Sequence, residues 1–503
     1  MKKFMAMLAM AILYGVMAFA QNRLVTGTVT DEKGAPVSGV SVKMKGTKVG
    51  SAATVNGSYQ ISAPKGATLI FSGVGLTAKQ IVVGVSDVIN VSMAREVNEL
   101  STVVVTSFGI QKQSRELGYS ATTVQAKDLT VAKPVSVANG LTGKVAGLLI
   151  NTTNNGVFAP TRITLRGNRS LTGNNQPLLV VDGAIFYNDI NTLNPDDISS
   201  INVLKGSSAS AVYGSDASNG VIIITTKKGS RGKSSVTVSS TVQIENLSYM
   251  MALQNKFGSN GGEKNVDDFN DLSTYIPYEN QSFGPIYNGK MVPVGRPVAD
   301  GSVLMVPYSA IKNQKQNFFQ TGITTQHNLS FQSGDENSSF YLSVQDINTK
   351  AIMPGDKGRR DVFRVGGSRT YGIFSAVYSV AYTYKNTNTT NTGTVYDNVM
   401  NTPAHVPLES LKNWATNKFA DVNGFYNDYE RNPYWDIANT RNNGTDNNLT
   451  GNIQFNLKPS KWLNLSYRIA MTNLSSKYEA TSKPINYSAY ALSDRRVLYS
   501  KPD

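Results

Sequence analysis

The residue types that most often carry enzymatic chemistry are scarce in this chain of 503 residues. It has no cysteine, and its two histidines, His327 and His405, are far apart in the sequence. The absence of cysteine excludes thiol catalysis, cysteine-ligated metals and a disulfide framework. Two distant histidines do not predict a histidine metal cluster. We therefore expect no metal site and no cofactor.

The acidic residues and glycines offer no better catalytic pattern. The acidic pair in Asn194–Asp197 follows a proline, and this order is typical of a helix start, where acidic residues complement the helix dipole. Gly143 and Lys144 lack the glycine spacing of a phosphate-binding loop. A secreted hydrolase is therefore a weak alternative, and the chain is predicted not to be an enzyme.

The N-terminus has the pattern of a secretory signal peptide. Lys2 and Lys3 precede an apolar stretch from Phe4 to Ala20, and small residues at its end predict cleavage before Gln21. A membrane anchor is the alternative, but the stretch is short for a span of about 20 residues. The net charge of +14 comes from scattered basic residues. Because nucleic-acid binding needs a concentrated basic face, we expect no nucleic-acid partner.

Residues 21–94 have the pattern of a small β-sandwich. Short alternating runs such as Val25–Val29 are separated by turn sequences such as Asp31–Gly34 and Asn56-Gly57. Turn signals at intervals of about 8–12 residues are typical of such sandwiches. No catalytic group of residues lies in this region.

The linker at residues 95–113 contains a short run with high β propensity. The run consists of Thr102, Val103, Val104, Val105 and Thr106, between polar residues. It is either a further strand of the sandwich or an exposed strand that a partner protein adds to its own sheet edge. The spacing alone does not separate these two interpretations.

Residues 114–229 predict a denser α+β domain. Continuous apolar runs such as Ile163–Leu165 and Val221–Thr225 are bounded by glycine and polar turns, as in strands that are buried on both faces. Asn194–Asp197 predicts a helix that leads into Ile198. Ser207–Tyr213 is a small-residue helical segment that ends at a glycine.

Residues 230–503 change to long strands of strict period two. In the run from Leu463 to Thr472, apolar side chains alternate with polar ones, and Phe340–Gln345 repeats the pattern. About seven or eight such strands are joined alternately by tight turns and by long loops at 250–316 and 386–445. This combination is typical of a transmembrane β-barrel. A secreted β-rich adhesin or polysaccharide-binding protein is the alternative.

Two sequence blocks in the middle domain carry a family resemblance. They are LTGKVAGLLINTTNNGVFAPTRITLRGNRSLTGNNQPLLVVDGAIF and LNPDDISSINVLKGSSASAVYGSDASNGVIIITTKKG. They closely resemble the plug of SusC/RagA-family TonB-linked outer-membrane receptors, and the N-terminal region resembles the carboxypeptidase regulatory-like domain. The fold implied is mainly β: that sandwich, an α+β plug domain, then an incomplete antiparallel transmembrane β-barrel.

The resemblance implies a site, partners and a location. Thr102–Thr106 stands where the family carries its TonB box, and Arg166 stands where family plugs place a lock against barrel carboxylates. The partners implied are TonB, a SusD-like surface lipoprotein, an oligosaccharide or peptide substrate, and outer-membrane lipid. The N-terminal domain would lie in the periplasm.

The strand count adds a further expectation. A barrel of about eight strands has room only for its own side chains, whereas barrels with a plugged lumen need about 22 strands. An unclosed barrel would leave unpaired backbone groups in the lipid. We therefore expect that this chain cannot form a working receptor by itself and that it is a fragment of a longer gene product.

Overall fold

The structure is a computed structural model that describes residues 22–493, with gaps at 33, 48, 74–75, 95–102, 106–110, 114–120, 153–155, 206, 230–231 and 261–269. The predicted signal peptide lies outside the described residues. The chain divides into two units, residues 1–102 and 103–503. Within the described residues, no helix is both long and apolar enough to cross a membrane.

The first unit is a two-sheet sandwich. Its strands are β1 (Arg23–Asp31), β2 (Ser41–Met44), β3 (Gly50–Ala52), β4 (Ser58–Ala63), β5 (Thr68–Gly73), β6 (Leu76–Val82) and β7 (Val91–Met93). The sheets have the orders β4-β1-β7 and β3-β2-β5-β6. Alternate residues of β4 are buried, as period two requires, and Tyr59 meets Phe71 edge-on at 5.2 Å between ring centroids. The sandwich interpretation is therefore confirmed for these residues.

The second unit begins with a short ladder and then the plug, by which we mean described residues 121–229. The ladder pairs β8 (Val103–Val105) with β9 (Gln111–Gln113). The five-stranded plug sheet has the order β10-β15-β16-β13-β14, and a separate ladder pairs β11 with β12. The plug strands are β10 (Ala121–Gln125), β11 (Leu148–Thr152), β12 (Thr161–Leu165), β13 (Leu178–Val181), β14 (Ala184–Ile185), β15 (Ile198–Leu204) and β16 (Val221–Thr226).

Three short helices complete the plug: α1 (Ala126–Leu129), α2 (Val137–Leu141) and α3 (Ser207–Tyr213). The central strands β15 and β16 are almost wholly buried, in agreement with their continuous apolar sequences. The predicted helix from Asn194 into Ile198 is wrong. Pro195–Asp197 forms a single 3-10 turn, and Ile198 already begins β15, because β-branched and apolar residues follow the turn and pair with β16.

The wall, defined as an antiparallel sheet of seven strands, follows the plug. Its strands are β17 (Gly232–Glu245), β20 (Gly322–Gly334), β21 (Ser338–Lys350), β22 (Lys357–Tyr371), β23 (Phe374–Thr389), β24 (Thr440–Ser460) and β25 (Leu463–Ser482). Within the described residues, β17 and β25 are the two ends of this sheet and do not pair with each other. The wall is therefore an open sheet, as the prediction of an incomplete barrel requires.

The two faces of the wall differ in polarity. In β21, Tyr341, Ser343 and Gln345 are buried against the plug side, whereas Val344 points the other way and is exposed. In β25, the apolar residues Leu465 to Met471 at alternate positions are all about half exposed or more. The predicted pattern of apolar residues outside and polar residues inside is thus present in the folded wall.

The outward apolar band crosses the wall at a slant. One ladder of directly paired positions crosses all seven strands through Ser240, His327, Asp346, Asp361, Tyr384, Asn447 and Ser475. The exposed apolar stretch is centred near Ser240 in β17 but near Tyr467 in β25. Relative to the ladder, the centre of the apolar stretch therefore shifts by about eight residues from β17 to β25, across six strand spacings. At ~3.3 Å per residue and ~4.8 Å per strand, this shift corresponds to an angle of about 40° between the apolar band and the ladder.

The long connections lie at one end of the wall and form a packed cap. The strands there end in the loops 246–321 and 390–439, whereas the opposite ends meet in tight turns such as Gly372-Ile373. The cap contains β18 (Met291–Val294), β19 (Leu304–Pro307), α4 (Gln314–Asn317), α5 (Thr392–Asn401) and α6 (Pro433–Asn439). Its two loops share a hydrophobic core that includes Tyr308, Val399 and Tyr426. Helix α7 (Ala489–Ser493) follows β25.

Gly229 is a conformational requirement at the junction from plug to wall. Its φ of +86° favours glycine, and an added Cβ would lie 2.5 Å from the backbone oxygen of Phe340. Because that neighbour is backbone, it cannot move aside as a flexible side chain would.

We expect Gly229→Ala to reduce the yield of folded protein, since the collision of the added Cβ with the backbone of Phe340 adds to a strained φ that by itself costs about 1–3 kcal/mol. Gly143→Ala is the matched control, because Gly143 has a φ of +75° but no atom within 4 Å of an added Cβ. The measurement is the protease-resistant fraction of each purified variant. Equal yields for the two variants would contradict the steric explanation.

Candidate functional site

The plug meets the inner face of the wall along a polar seam. Because wall strands alternate, the side chains that face the plug come from every second position, and many of those positions carry polar or charged residues. Gln345, Arg360 and Arg364 are each at most 3% exposed. Buried groups of this kind need partners, since an unpaired polar group costs about 1–3 kcal/mol. The plug supplies those partners.

One buried ion pair crosses the seam. Arg364 of β22 places its Nη2 atom 3.3 Å from Oδ2 of Asp182, with both side chains at most 4% exposed. The same guanidinium donates to the hydroxyl oxygens of Thr226 in the plug and Ser379 in the wall. Thr226 also donates its backbone N–H to Asp182 at 3.0 Å. The pair is therefore embedded in a network of hydrogen bonds.

The network sets the charge state of Asp182. Burial by itself would raise the pKa of this carboxyl, but the charges of Lys228 and Arg364 and the hydrogen bonds from Thr226 hold the pKa below its usual value. Asp182 is thus a carboxylate at neutral pH. A buried charge with these partners fixes one position of the plug against the wall.

A second contact involves the turn Asn194–Asp197. Tyr341 donates its hydroxyl to Oδ1 of Asp197 at 2.9 Å, and Gln345 donates its amide to Oδ1 of Asn194 at 2.8 Å. Asn328 donates to Oδ2 of Asp196 at 2.8 Å. Burial raises the pKa of Asp197, and the charge of Arg364 offsets this only in part. The turn that looks like a helix start in the sequence therefore binds two strands of the wall's inner face, β20 and β21.

Two further wall arginines bind plug backbone. Arg360 donates to the carbonyl oxygens of Val135, at 2.7 Å, and Asn191, which belong to separate segments of the plug. Arg468 of β25 donates to the carbonyl oxygen of Gly183 at 3.0 Å. These bonds depend on the plug's backbone position and not on its side chains.

A cavity of about 460 Å³ adjoins the seam next to Arg360, and Asp189, Glu245 and Lys385 also line it. A polar space of this size can hold several water molecules, each of which occupies about 30 Å³ in the liquid. The cavity therefore gives water access to the hydrogen-bonding groups at this part of the seam. The arrangement holds the plug specifically against the wall.

The sequence-predicted site residues lie elsewhere. Val103–Val105 form β8, which pairs with Gln111–Gln113 and not with the sandwich sheets, while Thr102 and Thr106 lie outside the described residues. Arg166 follows β12 with a φ of +61°, is exposed, and donates its backbone N–H to Gly147 at 2.8 Å. Among the described residues, no ion pair includes Arg166, and its role as a lock stays a prediction.

Sequence reasoning missed the wall arginines, although a signal was present. In β22, Arg360 and Arg364 share a face, and Phe363 and Val365 occupy the other. A charged residue on the polar face of a barrel strand points to the interior, where it needs a partner. The identity of that partner had no comparable signal, because Asp182 is 182 positions away.

Two family models match this chain. Residues 113–221 match the TonB-dependent receptor plug domain, and residues 25–105 match the CarboxypepD_reg-like domain. The TonB-dependent receptor SusC of Bacteroides thetaiotaomicron is 29% identical over 369 residues, which are 72% of this chain and 33% of that protein. The TonB-dependent receptor P39 of Formosa agariphila is 30% identical over 335 residues, or 66% of this chain and 29% of that protein.

A solved structure agrees with these matches. The RagAB peptide importer in its open-open state aligns with a TM-score of 0.55 at 20% identity, covering 76% of this chain and 44% of that one. This likeness supports the fold. The chain belongs to the SusC/RagA-like TonB-dependent receptors. It spans about a third of the length of these two curated relatives. In this receptor chain, the seam joins the matched plug domain to the first strands of an open barrel wall.

Asp182 and Asp197, two of the carboxylates of the seam, should respond differently to neutralisation. Asp182→Asn leaves Arg364 buried without its counter-charge, which typically costs about 3–5 kcal/mol. Asp197→Asn is the matched control and should cost about 1 kcal/mol or less, because burial already favours the uncharged form and the tyrosine can still donate to the amide oxygen. The measurement is protease accessibility of the plug in urea, with full-length receptor.

The pH dependence gives a second check on the same pair. Because the folded-state pKa of Asp182 is below its usual value of about 3.9, its stabilisation is present above that value and is lost as the pH falls through the lower folded-state pKa. The difference between wild type and Asp182→Asn should therefore persist at neutral pH and shrink below about pH 4. A difference that does not change with pH would show that charge is not the cause.

Proposed function

We propose that this chain is the N-terminal part of an outer-membrane receptor that imports a nutrient into the periplasm. The observation that carries the proposal is a folded plug, held against the inner face of the wall by hydrogen bonds and one buried ion pair. We assign residues 1–20 to a signal peptide, 21–94 to a periplasmic sandwich domain, 95–113 to the TonB-box linker, 114–229 to the plug and 230–503 to the barrel.

The outward band supports a position in a membrane. Strands of transmembrane barrels tilt by about 35–45°, and the slant of about 40° between the apolar band and the strand ladder agrees with that tilt. If the apolar band lies at a constant depth in the membrane, the angle between the band and the ladder equals the tilt of the strands from the membrane normal. We place the tight turns in the periplasm and the cap outside the cell, since barrels of this kind have short periplasmic turns and longer extracellular loops.

We infer that TonB binds the segment Thr102–Thr106 as an added strand. The three central residues already have extended backbone, and they pair with Gln111–Gln113. A partner's sheet edge would replace that short ladder. Few hydrogen bonds are exchanged, each with a net value of about 0.5–1.5 kcal/mol, so the contact can form and break repeatedly.

The cap and the relatives' names support the remaining parts of the proposal. One relative is the receptor SusC, and a structural neighbour is named as a peptide importer. We propose an oligosaccharide or a peptide as the cargo. A SusD-like lipoprotein would cover the extracellular side, where the two long loops form a packed surface. Transport through an opened plug needs no catalytic residue in this chain.

We expect Val104→Pro to abolish import but not insertion or cargo binding, because proline removes the backbone donor of an added strand. Lys112→Pro is the matched control. It disrupts the strand that pairs with Val104 and leaves the proposed box unchanged. The measurement is growth on the cargo and uptake of labelled cargo. Unimpaired import by Val104→Pro would contradict the assignment of the box.

Arg166→Ala is expected to loosen the plug and raise leakage of large antibiotics, if Arg166 locks the plug against barrel carboxylates. Arg364→Ala provides the comparison, because the structure places Arg364 in the buried pair. The measurement is antibiotic sensitivity of cells that make each variant in equal amounts. If Arg364→Ala raises leakage and Arg166→Ala does not, the assignment of Arg166 as a lock is contradicted.

A further inference from the structure

Two lysines face each other on the outward surface of the wall. Lys350 of β21 and Lys357 of β22 are direct partners in the antiparallel ladder, and both are exposed. Like charges at directly opposed positions destabilise a sheet. Among the described residues, neither lysine has an ion-pair partner in the structure.

A neighbouring like-charged pair is bridged by an opposite charge. Asp346 and Asp361 oppose each other across the same two strands. Nε of Arg359 lies 3.1 Å from Asp346 and 3.0 Å from Asp361, so one cation joins the two carboxylates. The lysine pair lacks the equivalent anion. An anion from outside the chain would remove the repulsion between the two amino groups.

The position of the lysines relative to the apolar band limits what that anion can be. The apolar stretch of β21 is centred near Leu342, and Lys350 is far along the strand toward the cap. At ~3.3 Å per residue and a tilt of about 40°, Lys350 lies roughly 20 Å from the centre of the band. The hydrocarbon core ends about 15 Å from the centre, and the headgroup region ends at about 20–22 Å.

A groove of about 420 Å³ surrounds the lysine pair. Ile323, Thr325 and Asn348 line it together with both lysines. Ile323, the direct ladder partner of Lys350 on β20, is an exposed apolar residue, and the exposed Leu329 and Val344 lie six positions farther along β20 and β21. A ligand here can thus place an anionic group between the amino groups and hydrocarbon chains against the band.

We propose that Lys350 and Lys357 bind the phosphate of a phosphorylated lipid headgroup in the outer leaflet. The inference rests on the proposed membrane position of the wall. A phosphate would satisfy two ammonium groups at once and remove their repulsion, while the acyl chains stay in the hydrocarbon layer. A free phosphate ion would gain nothing from the adjacent apolar surface.

The test uses full-length receptor extracted from outer membranes in mild detergent. Native mass spectrometry measures binding of a bis-phosphorylated lipid A and of the same lipid without phosphates. We expect the wild type to retain the phosphorylated lipid, and Lys350→Gln/Lys357→Gln to lose at least tenfold in occupancy. The charge-matched control is Lys290→Gln/Lys312→Gln, with exposed lysines in the cap, and Lys350→Arg/Lys357→Arg should keep the site.

Each result has a distinct meaning. Equal retention by the glutamine variant and the wild type would overturn the lipid site, as would equal binding of the dephosphorylated lipid. Displacement of the lipid by millimolar inorganic phosphate would overturn the choice of a lipid over a free ion. Heat-modifiable mobility confirms that each variant is folded. Fractionation tests the proposed function separately, because a receptor that is absent from the outer membrane would fail that proposal whatever lipid it binds.

Discussion

The ion pair between Arg364 and Asp182 is the contact on which the arrangement of plug and wall depends. It is the one place among the described residues where a charge of the wall and a charge of the plug are buried together. A misplaced plug would leave two uncompensated charges in a region of low dielectric constant. The remaining hydrogen bonds of the seam are weaker, and each can be exchanged for water. The ion pair therefore determines the position of the plug against the wall. The hydrogen bonds of the seam form once the plug is in that position.

The strict alternation of the wall strands makes such a seam possible. Each strand gives its apolar residues to the outer face and leaves every second position free for polar groups. A shift by one residue would turn Arg364 outward and Phe363 inward, exchanging the environments of both. The same alternation that suits a lipid environment thus also fixes which side chains are available to the plug. The two faces cannot change independently.

The sequence predicted the strands well because their signals are local. The alternation in β25 and the continuous apolar run of β16 each lie within one element. The turn at Asn194–Asp197 was misread because a helix start and a 3-10 turn before a strand share their first residues. The expectation for Arg166 rests on its place in a family pattern, whereas Arg364 and Asp182 meet only after the sheet and the plug have both folded. No periodicity connects residues that lie so far apart.

The turn at Asp182-Gly183 shows how a local rule produces the long-range contact. Val181 pairs with Ala184, so Asp182 and Gly183 alone join β13 to β14. Their φ values are +49° and +83°, respectively. Positive φ at both positions is the type I′ geometry for which Asp-Gly is a preferred sequence. An added Cβ at Gly183 would collide with the guanidinium of Arg468. In this one turn, the carboxylate of Asp182 therefore binds Arg364 of β22, and the carbonyl oxygen of Gly183 accepts a hydrogen bond from Arg468 of β25. Wall strands that are distant in the sheet hold the same two residues, so a local sequence preference determines where the plug is fixed.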